Sequence, residues 1–318
     1  EDRSVVVDHI GHLSPEFHQE VRRTTFVEAP RLEKRLEIGL IFASETFQRT
    51  GSFKFRAAYN VALNVPHPEI IAASSGNFGQ AIAFACGLLG KKCTVVMPST
   101  SARVKIDAVR EYGAQVDLTD VRVKGREARL AELAIERPDA YVASPYNDLL
   151  VIEGNASLGW ELAAMDRRLD YVIAPVGGGG LSSGIITGLN AAGSNIKVIG
   201  AEPSMANDAA LSLKAGHLIR NDAEPMTIAD GARTISLGER NWNVLREGME
   251  RIIEVPEENI RQAVRLLFTH ANLKAEPTGA LSLGAVLTQA EELRGHSVCC
   301  VVSGGNVDPE VYRSILAG

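Results

Sequence analysis

Eight short runs of β-favouring residues recur along this chain, and most are apolar throughout rather than alternating. "EIIAAS" (69–74), "KCTVVMP" (92–98), "AQVDLT" (114–119) and "AYVAS" (140–144) form a first set. "DYVIAPV" (170–176), "IKVIGAE" (196–202), "RIIEVP" (251–256) and "VCCVVSGG" (298–305) form a second. Strands that are apolar on both faces must be covered on both faces, which is the condition of a parallel sheet with helical crossovers. Helical spacing does fill the gaps, as in "NFGQAIAFACGLLG", "SARVKIDAVREYG" and "GREARLAELAIERP", which end in the Gly or Pro that stops helices. The fold expected is therefore α/β, with two doubly wound parallel-sheet domains. At roughly 150 residues per domain, 318 residues accommodate two. The loop "SPYND" near 145–150 and "VPHP" (65–68) mark the crossings, giving a large domain of 1–67 and 146–318 and a small domain of 68–145.

Charge narrows the function. The formal net charge is -6, with no Lys/Arg block to follow a phosphate backbone, so a general nucleic-acid binder is not expected. Cys86, Cys93, Cys299 and Cys300 contain no Cys-x-x-Cys pair, which argues against zinc and thioredoxin-type chemistry and for free thiols in a reducing cytoplasm. "EDRSVVVDHIGHLSPEF" lacks the basic-then-apolar order of a signal peptide, and no apolar run is long enough for a bilayer.

The strongest local signal is "DYVIAPVGGGGLSSGIITGLNAAG". A buried strand ends at Val176, Gly177, Gly178, Gly179 and Gly180 follow, and a helix begins near Leu181. Consecutive glycines let backbone N–H groups converge, and a helix N-terminus adds partial positive charge, so the segment is suited to a phosphate. A Walker loop is excluded, because Gly-Lys-Ser/Thr is missing. A dinucleotide fold stays open: the third glycine falls one place late, at Gly184, but Glu202 ends the next strand as a ribose-binding acid does. "SSGNFGQ" (74–80) is a second strand-to-helix loop, read either as an anion or hydroxyl site or as an ordinary N-cap. "SGGN" (303–306) places Ser303 at a strand's C-terminal end, where open α/β sheets bind ligands. Finally "TGSFKFRAAYN" (50–60) sets Lys54 between Phe53 and Phe55. Its plainest reading is a helix start capped by Ser52, with Phe53 and Ala57 inward and Lys54 and Arg56 in water.

Together, "TGSFKFR", "SSGNFGQ", "PVGGGGL" and "SGGN" occur in the order and at the distances of the fold-type II pyridoxal-phosphate enzymes. The chain most resembles the serine/threonine dehydratase and serine racemase family, from about Arg23 to its end. The resemblance implies that Lys54 carries pyridoxal 5'-phosphate as a Schiff base and later acts as general base. It implies that Gly177–Gly180 hold the phosphate, Asn77 bonds the ring hydroxyl, Phe53 packs on the ring, and Ser303 meets the pyridine nitrogen. Ser75 matches the second acid/base of the racemases. Ser74, Gly76, Asn77 and Gln80 correspond to substrate-carboxylate contacts, Arg126 to an arginine reaching a distal carboxylate, and Thr234 to a position facing the substrate. "AEPSMAND" resembles that family's cation site, with Glu202, Asp208 and the Ala206 carbonyl as oxygen ligands suited to Mg²⁺ or Ca²⁺.

The reaction implied is β-elimination from a small β-hydroxy amino acid, giving a 2-oxo acid and ammonia. A racemase of the same fold and, from another class, an NAD-binding oxidoreductase are the alternatives. Cysteine-synthase relatives read "SVKDR" where this chain has "SFKFR". Phe78 stands where relatives usually have His, which opens the way to an apolar or aromatic substrate such as phenylserine and puts serine, threonine and hydroxyaspartate in question. The chain ends soon after the Ser303 loop, so a C-terminal regulatory domain is not expected. The family suggests a homodimer.

Overall fold

The computed structural model describes residues 13–318 except Ala102; the N-terminal stretch weighed against a signal peptide lies largely outside them. Among the described residues, ten strands form two sheets. One holds β3 (Glu69–Ala73), β4 (Lys92–Pro98), β5 (Gln115–Thr119) and β6 (Ala140–Ala143), in the order β5-β4-β3-β6 and parallel throughout. The other is built on β2 (Gly39–Ser44), β7 (Tyr171–Pro175), β8 (Lys197–Pro203), β9 (Met249–Val255) and β10 (Ser297–Val302), in the order β2-β10-β7-β8-β9 and also parallel. A sixth strand, β1 (Thr25–Glu28), pairs antiparallel with the outer edge of β2. Sequence reading left it out. Its "TFVE" is only four residues long and mostly half-buried or exposed, so no continuous apolar run announces it.

The central strands are buried along their length, as two-sided helical cover requires: in β10 only Ser297 escapes full burial, and in β8 only Lys197 is exposed. One apolar cluster joins Leu40, Phe42, Ile173, Ile199 and Val302 to the helices Glu257–Ala271 and Leu281–Thr288. On the sheet's other face, Ile41, Val172, Ala174 and Val301 meet the helices Leu149–Ala163 and Gly180–Ala191. The four-stranded sheet has its own core, around Ile70, Ala72, Val95 and Met97.

The helix Lys54–Asn64 packs into that second core through Phe55, Ala57, Ala58, Val61 and Ala62. It is buried on every side from Phe55 to Ala62, because the helices Asn77–Leu88 and Leu149–Ala163 both lie against it. Gly154 sits at the second crossing, where a Cβ would collide with the Arg56 carbonyl.

That packing corrects one sequence expectation. Arg56 does not reach water: it is 0% exposed. Its Nε and one terminal nitrogen donate to the two oxygens of Glu45 at 2.8 and 2.9 Å. The other terminal nitrogen donates to Glu161 Oε1 at 2.9 Å and Ser157 Oγ at 2.8 Å. Thr24 Oγ1 and the Arg22 carbonyl accept from the terminal nitrogen that also bonds Glu45. Burial disfavours the guanidinium charge, but the carboxylates of Glu45 and Glu161 more than offset this and hold its pKa above the usual value.

The cluster joins β2, the Lys54 helix and the helix Leu149–Ala163. Removing one member of such a group strands a buried charge, which costs about 3–5 kcal/mol. Arg56→Ala should lower unfolding free energy by about that much in a denaturant titration of the cofactor-free protein.

Candidate active site

Three loops leave the C-terminal ends of β3, β7 and β10, and the start of the Lys54 helix lies among them. The Phe53 amide donates to the Ser303 carbonyl at 2.9 Å, and Ser52 forms an isolated antiparallel bridge with Gly304. These backbone contacts set Lys54 beside the loop after β10, which lies near the other end of the chain. The turn before Lys54 is tight: Thr50 (φ 60°) and Gly51 (φ 73°) are both left-handed. It wraps Asn306, whose Nδ2 donates to the Thr50 carbonyl at 2.7 Å and to Asn77 Oδ1 at 2.8 Å.

Lys54 is half-buried. Its Nζ donates to the Pro145 carbonyl at 2.7 Å and lies 5.0 Å from the ring centroid of Phe53 and 5.8 Å from that of Phe78. Burial pushes its pKa down to about 8, against the opposing pull of Glu276. Phe55 has a different part from Phe53: it is fully buried and stacks on Tyr59 at 5.4 Å in the core. Phe78, 1% exposed, turns into the same core, so its ring fills space instead of opening it to a substrate.

The glycine loop is shaped by its neighbours. A Cβ on Gly178 would fall within the ring of Tyr146, and Gly179 takes φ 89° at the N-cap of the helix Gly180–Ala191. Asn241 Nδ2 donates to the Gly178 carbonyl at 2.6 Å and the Tyr146 carbonyl at 3.0 Å. Asn155 Nδ2 donates to the Gly180 carbonyl at 3.1 Å. With the carbonyls tied back, the amides at this helix start, which have no intrahelical acceptor, remain for an anion. The donors fit a phosphate group.

In the loop after β3, Ser74 Oγ accepts from the Gly76 and Gly79 amides at 3.3 and 3.1 Å. A Cβ on Gly76 would meet nothing within 4 Å, so this turn faces open space. Ser75 Oγ accepts from Arg126 at 3.3 Å, and Arg126 also lies 3.9 Å from Glu224. Gln80 is buried one turn into the following helix. Thr234 lies in another loop, its Oγ1 buried and without a partner among the described residues. Ser303 is buried, at 2% exposure.

Glu202 and Asp208 are both buried. Glu202 caps the helix Asp208–Ala215, accepting from the Ala209 and Ala210 amides at 2.9 and 2.8 Å. That removes the dinucleotide reading, because the carboxylate faces a helix end and not a ribose. Burial and then the nearby Asp208 raise the Glu202 pKa, while burial pushes Asp208 up to about 6. Asp208 Oδ2 has no partner among the described residues. A buried, uncompensated oxygen and two acids raised by burial fit a cation, with the second lone pairs of Glu202 still free. No group of three or more His, Cys, Asp or Glu side chains among the described residues is placed to hold a metal ion, so carbonyl oxygens such as Ala206's would have to complete the site.

Four contributors were missed in the sequence. Tyr146 and Asn241 shape the glycine loop, and Asn306 and Glu276 hold Asn77. Asn306 lay within the noticed "SGGN". The others sit in no motif, and only their partners in space reveal them.

Two parallel sheets whose loops carry a desolvated lysine, a run of four glycines at a helix start and a strand-end serine are the arrangement of a cofactor-dependent enzyme of the fold-type II kind. Comparison with known proteins is more specific. The family described as "Pyridoxal-phosphate dependent enzyme" matches residues 18–304, and the chain belongs to it. It is 34% identical over 302 residues to the L-threo-3-hydroxyaspartate ammonia-lyase of Saccharomyces cerevisiae, covering 94% of this chain and 92% of that protein. It is 31% identical to the serine racemase of Schizosaccharomyces pombe, covering 98% and 97%. Among solved structures, a threonine deaminase from T.th. superposes with a TM-score of 0.89 at 39% identity, over 96% of this chain and 98% of that one.

A depressed lysine pKa has a sign that can be tested. Below about pH 8 Lys54 is mostly charged and cannot add to an aldehyde; above it the amine is neutral. The rate at which cofactor-free protein captures pyridoxal phosphate, followed by borohydride trapping, should rise with pH through a midpoint near 8 rather than near 10 and level off above it.

Proposed function

We propose that the protein is a pyridoxal-phosphate-dependent ammonia-lyase that eliminates the β-hydroxyl of a small β-hydroxy amino acid and yields a 2-oxo acid and ammonia. The observation that carries this reading is Lys54, desolvated and backed by the Phe53 ring, tied through Phe53 to Ser303. Pyridoxal phosphate supplies the electron sink that loosens the bonds at the substrate's α-carbon. On this reading Lys54 Nζ anchors the cofactor and, once released, takes the α-proton. The helix-start amides at Gly177–Gly180 hold the phosphate, Asn77 bonds the ring oxygen, and Ser303 gives the ring nitrogen a neutral partner. A neutral partner leaves that nitrogen unprotonated and favours prompt loss of a β-substituent. Ser74, Gly76 and Gln80 hold the substrate carboxylate, and Thr234 faces the substrate.

The β-carboxylate of a hydroxyaspartate is the substituent this site suits best. Arg126, already bonded to Ser75, is the cation that meets it, and Phe78 offers no opening for a phenyl ring. The S. cerevisiae relative is itself a hydroxyaspartate ammonia-lyase. The second reading, racemisation, rests on Ser75 acting as an acid/base partner to Lys54, and the S. pombe relative is a serine racemase.

The division into 1–67 with 146–318 and 68–145 is supported by sheet membership, with the Lys54 helix packed towards the smaller lobe. A homodimer is part of the same proposal, by likeness to the family. The four cysteines, all free and buried, favour a reducing cytoplasm. No helix among the described residues is long and apolar enough to cross a membrane.

The purified protein should show a visible band that borohydride bleaches, with the pyridoxyl mass on a Lys54 peptide. A protein whose Lys54 cannot be labelled would sink the reading. Oxo-acid release from hydroxyaspartate, threonine, serine and phenylserine, beside D/L interconversion of serine, separates the substrates and the racemase. Arg126→Leu should raise KM for hydroxyaspartate at least ten-fold and leave that for threonine nearly unchanged.

Glu202, Asp208 and the Ala206 carbonyl would hold Mg²⁺ or Ca²⁺. A cation that binds only the folded state stabilises it by mass action. Millimolar Ca²⁺ or Mg²⁺ should therefore raise the Tm of the wild type, and Asp208→Asn should abolish the rise.

A further inference from the structure

Glu276 is a buried acid, 4% exposed, that no motif contains. It stands just before the short turn Thr278–Ala280, and its own amide donates to the Gly304 carbonyl at 3.1 Å. Its Oε1 accepts from Asn77 Nδ2 at 2.7 Å. A Cβ on Gly304 would come within 2.6 Å of that oxygen, so the loop after β10 closes over the carboxyl.

Asn77 is thereby held from both sides. Its oxygen accepts from Asn306 Nδ2 and its nitrogen donates to Glu276. Turning the amide over would set N–H against the N–H of Asn306, whose own orientation the Thr50 carbonyl fixes, and would take from Glu276 the donor it now accepts. One Asn77 N–H is engaged; the other is left over.

We infer that Glu276 is a positioning residue, whose carboxyl locks the Asn77 amide so that its second N–H points at the ring oxygen of the cofactor. This rests on the reading of Asn77 as the residue that bonds that oxygen. The orientation has a chemical consequence, since a fixed donor favours the anionic form of the ring oxygen and an acceptor would favour the protonated form.

The charge on Glu276 follows from what faces it. Burial, and then the like charge of Asp230, push its pKa up to about 8; the Asn77 hydrogen bond, Lys105 and Lys54 oppose the rise. Near neutral pH the group is a neutral acid that still accepts from Asn77, and it ionises as pH passes about 8. Glutamine reproduces the neutral acid and keeps the acceptor. Alanine removes it.

Titration of cofactor-free protein with pyridoxal phosphate at pH 7 should give Glu276→Gln a wild-type Kd. Glu276→Ala should bind roughly ten- to a hundred-fold more weakly, the loss expected for a buried hydrogen bond to an ionisable group. In the holoprotein, the visible band of Glu276→Gln should follow the wild type up to about pH 8 and diverge above it. A wild-type Kd for Glu276→Ala overturns the inference. So does a Glu276→Gln that binds as weakly as alanine, or whose band tracks the wild type to pH 10. If Glu276→Ala does not fold, the glutamine variant's Kd and pH profile decide alone. Asn77→Ala separates the two readings: an unchanged Kd there overturns the role of Asn77 itself, whereas a loss that Glu276→Ala does not deepen places both in one unit.

Discussion

The site depends on one buried cation that takes no part in the chemistry. Arg56 lies two residues beyond Lys54 on the same helix, and its fork grips both oxygens of Glu45 at the end of β2. A planar guanidinium with five donors can bond two carboxylates, two hydroxyls and a carbonyl at once, which a lysine ammonium cannot do. Glu161, Ser157 and Thr24 complete the group, so the Lys54 helix is held by the six-stranded sheet although its apolar face belongs to the other core. Two sheets thus share one helix, and Lys54 stands at its first turn.

From that anchor the remaining parts follow by short steps. Phe53 bonds the carbonyl of Ser303, Asn306 ties the Thr50 turn to Asn77, and Glu276 takes the other end of the Asn77 amide. Loops from both sheets are joined by backbone atoms and side-chain amides, with the Lys105–Asp230 ion pair at 2.8 Å as a charged link between the same two units. A parallel sheet with strands of similar length presents all its C-terminal loops on one edge, and here two such edges meet. The lysine then lies in a setting where burial lowers its pKa, because the nearest opposing group is one carboxyl and not a surface of counter-ions.

Much of this was legible in the residues. Eight strands declared themselves as apolar runs, since a strand covered on both faces has no polar side to interrupt it. β1 was not among them, its four residues being exposed at both ends, and neither was β2, although its "GLIFAS" is apolar and buried. The glycine loop was legible for a local reason, namely that backbone convergence demands missing side chains at consecutive positions. Arg56 was misread because pattern assigns an arginine to water, and only the carboxylates of Glu45 and Glu161, 11 residues before it and 105 after, make its burial tolerable. Tyr146 and Asn241 were invisible for a related reason: each acts by filling the space or bonding the carbonyl of a glycine distant in the chain. Phe78 was read as bordering the substrate; its ring lies 5.8 Å from Lys54 Nζ but turns inward, and a sequence does not say which way a residue on a buried helix faces.

Three buried glutamates show where the limit of sequence reading falls. Glu45 faces a guanidinium, Glu202 faces two amides at a helix start, and Glu276 faces one side-chain amide with a lysine acting only through space. The residue type is the same and the burial is nearly equal. Their chemistry differs because a buried carboxyl is governed by what replaces its lost water. An arginine gives such a group two fixed donors. A helix end orders it, and with Asp208 alongside it accumulates negative charge that a cation would relieve. A single neutral donor leaves the balance close enough for pH to decide it. That last arrangement is poor for stability and useful beside a reacting amine, which is why the least compensated of the three acids lies closest to Lys54 in its electrostatic influence.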